Sequence, residues 1–249
     1  MNRIEFTPAG YENLLELVIQ NDYKFSSFEN RYNSPFSKNC LLRHDIDVDL
    51  YAALELARIE YKKNVKSTFF LMFRSPIYNL FSRANDRFVR EIIDLGHDIA
   101  LHFDAEYYVW GDLQESIDKE ADILYSIFKK PITTVSFHQP NNDIICNNLK
   151  INDYINTYDK QDLKDYAYFS DSNKMWYRAP EGIFTDNSLP HIQLLIHPMW
   201  WVNEDPNLST REIWKISIAR NFTNSEKQLL ATERAYGNKS IFYINDCQE

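Results

Sequence analysis

The sequence predicts one α/β domain in which parallel β-strands alternate with crossover helices. First, short β-rich apolar runs alternate with segments of helical periodicity, which favours a parallel sheet with helices on its faces. Second, the helix and strand signals are well separated, as where Gly96 follows a helical segment at a position that favours a left-handed residue. Third, a length of 249 residues fits a single large α/β domain.

The predicted elements run through most of the chain. The main predicted strands cover 41–45, 65–72, 97–102, 132–137 and 191–196. Helical segments are predicted over roughly 50–63, 86–95, 112–128 and 210–235. Shorter strands are predicted over 154–158, 166–169, 175–177 and 240–244. Before the first main strand, residues 1–40 form an extension with a helix that Thr7 caps and Pro8 begins, followed by a loop. We therefore expect one domain over 1–249, in which residues 1–40 form an N-terminal extension.

Composition excludes several classes of function. The chain has only 5 glycines and no glycine-rich phosphate loop, so a nucleotide site of that kind is not expected. A net charge of −9 argues against nucleic acid as the main partner. The 3 cysteines are far apart and form no CxxC pattern, which excludes a disulfide framework or a cysteine-rich zinc site. With no signal peptide and no membrane-spanning run, we expect a soluble cytoplasmic protein.

Ionisable side chains follow several predicted strands at their C-terminal ends. In chain order these residues are Asp45, Asp47, His102, Asp104, His138 and His197. Because the C-terminal ends of parallel strands converge on one face, these groups are expected to meet there. The simpler alternative at the first strand is a polar loop in which Asp47 or Asp49 caps the next helix. A single histidine is also more often structural than functional.

Such a set of residues supports metal-assisted hydrolysis. One carboxylate and imidazoles can hold a divalent cation and leave positions open for water and substrate. A second carboxylate that does not bind the cation can take a proton from the water. A histidine on the far side can protonate the leaving group.

Five segments, in order, resemble motifs of the polysaccharide deacetylase family of carbohydrate esterases, the NodB-homology proteins. They are Arg43–Asp47 (RHDID), Ser67–Phe70 (STFF), Gly96–His102 (GHDIALH), Ser136–Pro140 (SFHQP) and Leu195–Pro198 (LIHP). The RHDxD motif, together with HPxWW at 197–201, resembles a divergent branch found among intracellular proteins of surface-glycan biosynthesis. The resemblance implies a distorted (β/α) barrel of the polysaccharide deacetylase type.

The resemblance also implies roles for individual residues. Asp45 corresponds to the general base, Asp47 and His102 to metal ligands, and His197 to the catalytic acid. The implied cofactor is a divalent metal, with zinc expected. The implied partner is an acetylated sugar or glycan precursor, from which an N- or O-acetyl group is removed.

This sequence departs from the family pattern at two positions. The family's second metal-binding histidine is replaced by Glu106, and His138 stands where the family carries an arginine that orients the base. Either Glu106 or His138 can supply the third metal ligand; we favour His138, because imidazole keeps a site with two carboxylates less anionic. Arg178 is a candidate for the missing arginine.

Two further residues are candidates for substrate binding, and two rival functions remain. Trp200 is a candidate for stacking on a sugar ring, and Asp171 for lining the sugar groove. An Asx-type turn explains Asp171 equally well. The first rival function is a sugar-binding relative with an incomplete metal site and impaired catalysis. The second is a metal-dependent phosphoesterase, which would need more basic residues than we can place near a phosphate.

Overall fold

A computed structural model describes residues 4–106, 111–146 and 149–236. The strands are β1 (Lys24–Phe25), β2 (Asn39–Ile46), β3 (Thr68–Met72), β4 (Asp98–Asp104), β5 (Thr134–His138), β6 (Ile155–Asn156), β7 (Ala167–Ser170) and β8 (His191–Ile196). The helices are α1 (Pro8–Gln20), α2 (Leu50–Lys62), α3 (Arg83–Asp94), α4 (Leu113–Phe128), α5 (Asn142–Cys146), α6 (Pro180–Phe184) and α7 (Thr210–Thr232). Single 3-10 turns cover Ser172–Lys174 and Pro198–Trp200.

All strand pairs in the sheet are parallel, which confirms the predicted fold class. The eight-stranded sheet has the order β6-β5-β4-β3-β2-β8-β7, and β1 pairs with the start of β2. Within the described residues β6 and β7 form the two edges and do not pair with each other. The sheet is therefore a distorted (β/α) barrel that is open between β6 and β7.

Helix caps resolve the alternative left open for the first motif. The Asp49 side chain accepts hydrogen bonds from the backbone N–H groups of Tyr51 and Ala52, so Asp49 is the cap of α2. Asp47 is therefore not used as a cap. Thr7 caps α1 as predicted, through a 3.0 Å hydrogen bond from the N–H of Gly10.

Some predicted boundaries differ from the observed ones. The strand predicted over 154–158 is reduced to β6, since the chain turns away after Asn156, which accepts a hydrogen bond from the N–H of Tyr158. The strand predicted over 175–177 is wrong; those residues follow a 3-10 turn in which Asn173 has a φ of 59°. The strand predicted over 240–244 lies outside the described residues.

Apolar side chains form two clusters between the sheet and the helices that pack on it. On the side of α2, α3 and α4, one apolar cluster includes Phe69, Leu101 and Val135. On the side of α1, a second apolar cluster includes Leu194, Trp200 and Trp201. None of the described helices combines the length and apolar character that crossing a bilayer requires.

A buried carboxylate ties the outer face of the sheet to two helices. Glu60 on α2 is fully buried and accepts hydrogen bonds from the Tyr11 hydroxyl, from His44 Nε2 at 2.6 Å and from Ser67 Oγ at 2.5 Å. His97 Nδ1 lies 3.4 Å from the same carboxylate. Burial raises the pKa of Glu60, but the neighbouring His44 outweighs it, and the pKa is lowered from its usual value. Glu60 is thus an ionised group that joins α1 and α2 to β2 and to the residues just before β3 and β4.

Replacing Glu60 with alanine is expected to destabilise the fold by about 3–5 kcal/mol, because it leaves buried polar partners without their carboxylate. The free energy of unfolding in urea measures this loss. Glu55→Ala on the same helix is the matched control: Glu55 is partly exposed and pairs with Arg58 at 2.7 Å. That control is expected to cost less than about 1 kcal/mol. Equal losses in the two variants would contradict a structural role for the buried cluster.

Candidate metal centre and catalytic site

Three of the predicted ligands meet at the C-terminal ends of their strands. The carboxylate Oδ1 of Asp47, just after β2, lies 3.0 Å from Nε2 of His102 on β4. The same oxygen lies 3.2 Å from Nδ1 of His138, the last residue of β5. One ligand atom from each residue lies within 4.8 Å of the others. The parallel register produces this meeting, because it brings the ends of β2, β4 and β5 to the same edge.

His102 is oriented from behind by a second hydrogen bond. Its Nδ1 lies 2.7 Å from Ser136 Oγ, which is fully buried on β5. Without a metal, Nε2–H can donate to Asp47 while Nδ1 accepts from Ser136; in the other tautomer Nδ1–H donates to Ser136 and Nε2 has the lone pair that a metal would need. Metal-binding histidines in proteins are fixed in this way by a partner on the other ring nitrogen.

The donor set fits a divalent cation. Burial raises the pKa of Asp47, but hydrogen bonds from His102 and His138 outweigh it and hold the pKa well below its usual value. The carboxylate is thus ionised beside two imidazoles, and Asp47 and His138 keep partial exposure to solvent. One carboxylate and two imidazoles with room for further ligands are a common set for zinc.

Glu106, the alternative third ligand, is not part of this cluster. It is exposed, and its backbone N–H donates to the carboxylate of Asp104 at 3.1 Å. The structure therefore brings His138, and not Glu106, to Asp47 and His102.

Asp45, the predicted base, is clamped by an arginine from its own strand. Arg43 Nε donates to Asp45 Oδ1 at 2.7 Å, and Arg43 Nη2 donates to Oδ2 at 2.6 Å. Burial raises the pKa of Asp45, but the Arg43 guanidinium outweighs burial and lowers the pKa. Asp45 Oδ2 also lies 3.6 Å from Nδ1 of His102. The carboxylate is thus ionised and held next to the ligand cluster.

Arg43 is a residue of this cluster to which the sequence reasoning gave no role. It is fully buried, and its Nη1 donates to Thr157 Oγ1 at 2.8 Å while its Nη2 donates to the Tyr158 hydroxyl at 3.1 Å. Arg178, the predicted substitute for the missing arginine, instead pairs with the surface carboxylate of Asp186 at 2.7 Å. The available signal was the spacing: residues 43 and 45 share a face of one strand.

His197, the predicted acid, is held by Asp171. Its Nδ1 lies 2.6 Å from Asp171 Oδ1, and its backbone N–H donates to the same carboxylate at 3.0 Å. Burial lowers the pKa of His197, but the Asp171 carboxylate outweighs burial and raises the pKa to about 9. The other ring nitrogen, Nε2, lies 3.9 Å from Asp47 Oδ2. A protonated imidazole therefore faces the ligand cluster.

Asp171 and Trp200, the residues predicted to bind substrate, both lie in the interior. Asp171 is fully buried, and besides holding His197 it accepts a 2.7 Å hydrogen bond from Trp201 Nε1. Trp200 is only 4% exposed and packs in the apolar cluster of the α1 side. Neither side chain offers a free surface to a sugar, because the first is fully paired and the second is core.

Replacing Asp171 with asparagine is expected to lower the pKa of His197, since the largest favourable charge is removed while burial remains. If His197 acts as a proton donor, the alkaline limb of the kcat/KM profile should move down by at least about one pH unit. A pH series of initial rates measures the shift. Asp186→Asn, on an exposed surface carboxylate, is the control and should leave the limb in place. An unmoved limb in Asp171→Asn would mean that His197 is not the group that titrates there.

No protein-family model matches this chain, and no curated protein matches it. Several solved structures match this chain. The chain is similar to the deacetylase PplD of Streptococcus pyogenes in complex with acetate, with 16% identity and a TM-score of 0.42. That match covers 54% of this chain and 65%, less than two thirds, of the other.

Two further similar structures come from Bacillus anthracis. One is a family 4 carbohydrate esterase with 12% identity and a TM-score of 0.45, covering 85% of this chain and 86% of the other. The other is BA3943, a family 4 pseudoenzyme, with 12% identity and a TM-score of 0.41. That match covers 80% of this chain and 66% of BA3943. The two Bacillus anthracis proteins are thus described as members of carbohydrate esterase family 4.

Proposed function

We propose that this protein is a metal-dependent deacetylase that hydrolyses an N- or O-acetyl group on a sugar used in surface polysaccharide biosynthesis. The observation that carries the proposal is the convergence of Asp47, His102 and His138, with Asp45 and His197 each in contact with a member of that cluster. Asp47, His102 and His138 would hold the metal. When bound, a divalent cation supplies a Lewis acid that polarises the acetyl carbonyl and acidifies water.

The protein's own groups supply the proton transfers. Each Asp45 oxygen takes one hydrogen bond from Arg43, which leaves a second lone pair on each oxygen. Asp45 can therefore accept the proton of the attacking water. His197 is protonated at neutral pH, because its pKa is about 9, and its Nε2 faces the cluster. It can donate its proton to the departing amine or alcohol.

The charges of the site are consistent with Asp45 as the proton acceptor and His197 as the proton donor. Arg43 balances Asp45, and protonated His197 balances Asp171, so that Asp47 remains as the carboxylate not matched by a cationic side chain. A divalent cation held by Asp47 and two neutral imidazoles would complete the balance. This arrangement supports the deacetylase over the impaired relative, since His138 lies next to Asp47 and His102 and can serve as the third ligand that the sequence alone left open.

Release of acetate tests the proposal. The purified chain, stripped with a chelator and then supplied with zinc, is assayed on N-acetylated sugars, O-acetylated sugars and phosphate esters. We expect zinc-dependent release of acetate and no release of phosphate. Phosphate release would favour the phosphoesterase. Binding of acetylated sugar without turnover in the zinc-loaded protein would favour the sugar-binding relative.

A further inference from the structure

The outer side of α7 carries a stripe of large apolar side chains, which we call the α7 stripe. Its members follow one another at intervals of four, four and seven positions, which brings them to the same side of a helix. They are Trp214, Ile218, Phe222 and Leu229, and they are 37% to 66% exposed. No segment within residues 4–106, 111–146 and 149–236 therefore covers the stripe. A contiguous apolar patch on a protein surface is typical of a binding site for a partner.

The opposite side of α7 fixes the helix on the domain. Ile213 and Ser217 are buried there. Asn221 Nδ2 donates a 2.7 Å hydrogen bond to the carbonyl of Val48, and Gln228 Oε1 accepts a 3.2 Å hydrogen bond from a backbone N–H of α3. Because these contacts are spread along the helix, the α7 stripe is a surface of fixed shape and not the side of a detached helix.

The α7 stripe is symmetric about the middle of the helix. Trp214 and Leu229 lie at equal distances in sequence from the midpoint between positions 221 and 222, and so do Ile218 and Ser225. Phe222 lies beside the midpoint. When a second α7 packs antiparallel on this side, each Trp214 faces the partner's Leu229 and each Ile218 faces the partner's Ser225. Twofold interfaces require this reciprocal arrangement, in which the same patch serves both copies.

Charged side chains beside the stripe favour the same orientation. Lys215 borders the first half of the stripe and Glu226 borders the second half, on the same flank. Glu226 also accepts a 3.2 Å hydrogen bond from the Tyr236 hydroxyl. In an antiparallel pair each Lys215 comes next to the partner's Glu226, whereas a parallel pair would bring like charges together. An anionic membrane surface is a poorer occupant, because the chain has a net charge of −9.

We propose that the α7 stripe is the interface of a twofold homodimer, in which the α7 helices of two copies pack antiparallel. Phe222, the most exposed residue of the stripe, meets the partner's Phe222 at the axis. The pairing removes apolar surface of both copies from water, which is the main driving force of such association. The interface lies outside the proposed metal centre, so dimerisation is expected whether or not the protein is a deacetylase.

Sedimentation equilibrium of the full chain tests the dimer. We expect the wild type to dimerise with a dissociation constant of about 10 μM, because an interface of one helix pair is at the small end for specific complexes. Phe222→Glu should weaken dimerisation at least about 100-fold, since it places two carboxylates at the axis in place of two rings. Tyr125→Glu is the matched control, at an aromatic residue that is 51% exposed on α4, and should dimerise as the wild type does.

Charge reversal tests the orientation of the two helices. Lys215→Glu and Glu226→Lys should each weaken the homodimer at least about fivefold at low salt, because every reversal changes two symmetric contacts. An equimolar mixture of the two variants should recover dimers of about wild-type affinity, since each contact in the mixed dimer again pairs opposite charges. If the mixture dimerises no better than the separate variants, the antiparallel pairing is wrong.

Other results would overturn the homodimer itself. A wild type that remains monomeric at about 200 μM does not use the α7 stripe in this way. Equal dimerisation of Phe222→Glu and Tyr125→Glu would place the interface on another surface. If the full chain is monomeric and a chain that lacks residues 237–249 dimerises, that segment and not a second copy is the occupant of the stripe.

Discussion

Replacing Asp47 with alanine is expected to abolish binding of a divalent metal and to reduce activity by about 10³-fold or more, since the proposed metal would lower the barrier by several kcal/mol as a Lewis acid. The Asp47 carboxylate lies within hydrogen-bonding distance of both His102 and His138. Without it, two imidazoles remain, which are too few to hold the cation in an open site. Zinc affinity, measured by competition with a chromogenic chelator, reports the loss independently of turnover.

Two single substitutions decide the identity of the third ligand in the same assay. His138→Ala is expected to weaken zinc binding by more than about 100-fold. Loss of a residue that only hydrogen-bonds a metal ligand lowers affinity by about 10–100-fold, and loss of a ligand itself should lower it further. Glu106→Gln is the matched control, at an exposed carboxylate outside the cluster, and should bind zinc as the wild type does. If instead Glu106→Gln loses zinc and His138→Ala keeps it, the assignment of ligands is wrong.

The ligand cluster could be predicted from sequence because it depends on one simple property of parallel sheets. Asp47 follows β2, His102 lies near the C-terminal end of β4 and His138 ends β5. The C-terminal ends of parallel strands meet on one face whichever strand order applies. The choice between His138 and Glu106 depended on charge alone in the sequence. The geometry supports His138, since it lies at the end of β5 next to Asp47, whereas Glu106 lies in the turn after β4, exposed to solvent.

The partners of the catalytic groups were harder to predict, because they depend on pairing between distant segments. Asp171 reaches His197 only because β7 pairs with β8, and nothing in a polar Ser-Asp-Ser segment distinguishes a buried partner from a surface turn. Trp200 was assigned to substrate because it follows the His-Pro motif, but the 3-10 turn at 198–200 directs it into the core. Short polar segments between strands carry little periodicity, and their side-chain directions are set by tertiary contacts.

Replacing Arg43 with methionine is expected to impair both stability and catalysis. The substitution leaves Asp45 buried without its cationic partner, which is expected to cost about 3–5 kcal/mol of stability at neutral pH. Burial, the largest influence on Asp45, is then opposed only by more distant groups such as His102 and His197, so its pKa is expected to rise relative to that in the wild type. We expect kcat to fall by about 10²-fold or more and the acidic limb of the pH profile to move upward. Urea unfolding and a pH series of kcat measure the two effects.

Arg43→Lys distinguishes positioning from charge alone. Lysine keeps a positive charge beside Asp45, but its single ammonium cannot donate to both oxygens in the fixed fork that the guanidinium provides. We therefore expect Arg43→Lys to recover part of the stability and to restore the acidic limb, while kcat stays low because the carboxylate is no longer held in one orientation. Arg178→Met removes an exposed arginine and should change neither quantity. Recovery of full kcat in Arg43→Lys would mean that the charge of Arg43 matters and its bidentate geometry does not. An Arg43→Met protein that is destabilised but turns over at the wild-type rate across the pH range would remove Asp45 from the role of base, since a base whose pKa had risen could not remain ionised in the acidic part of that range.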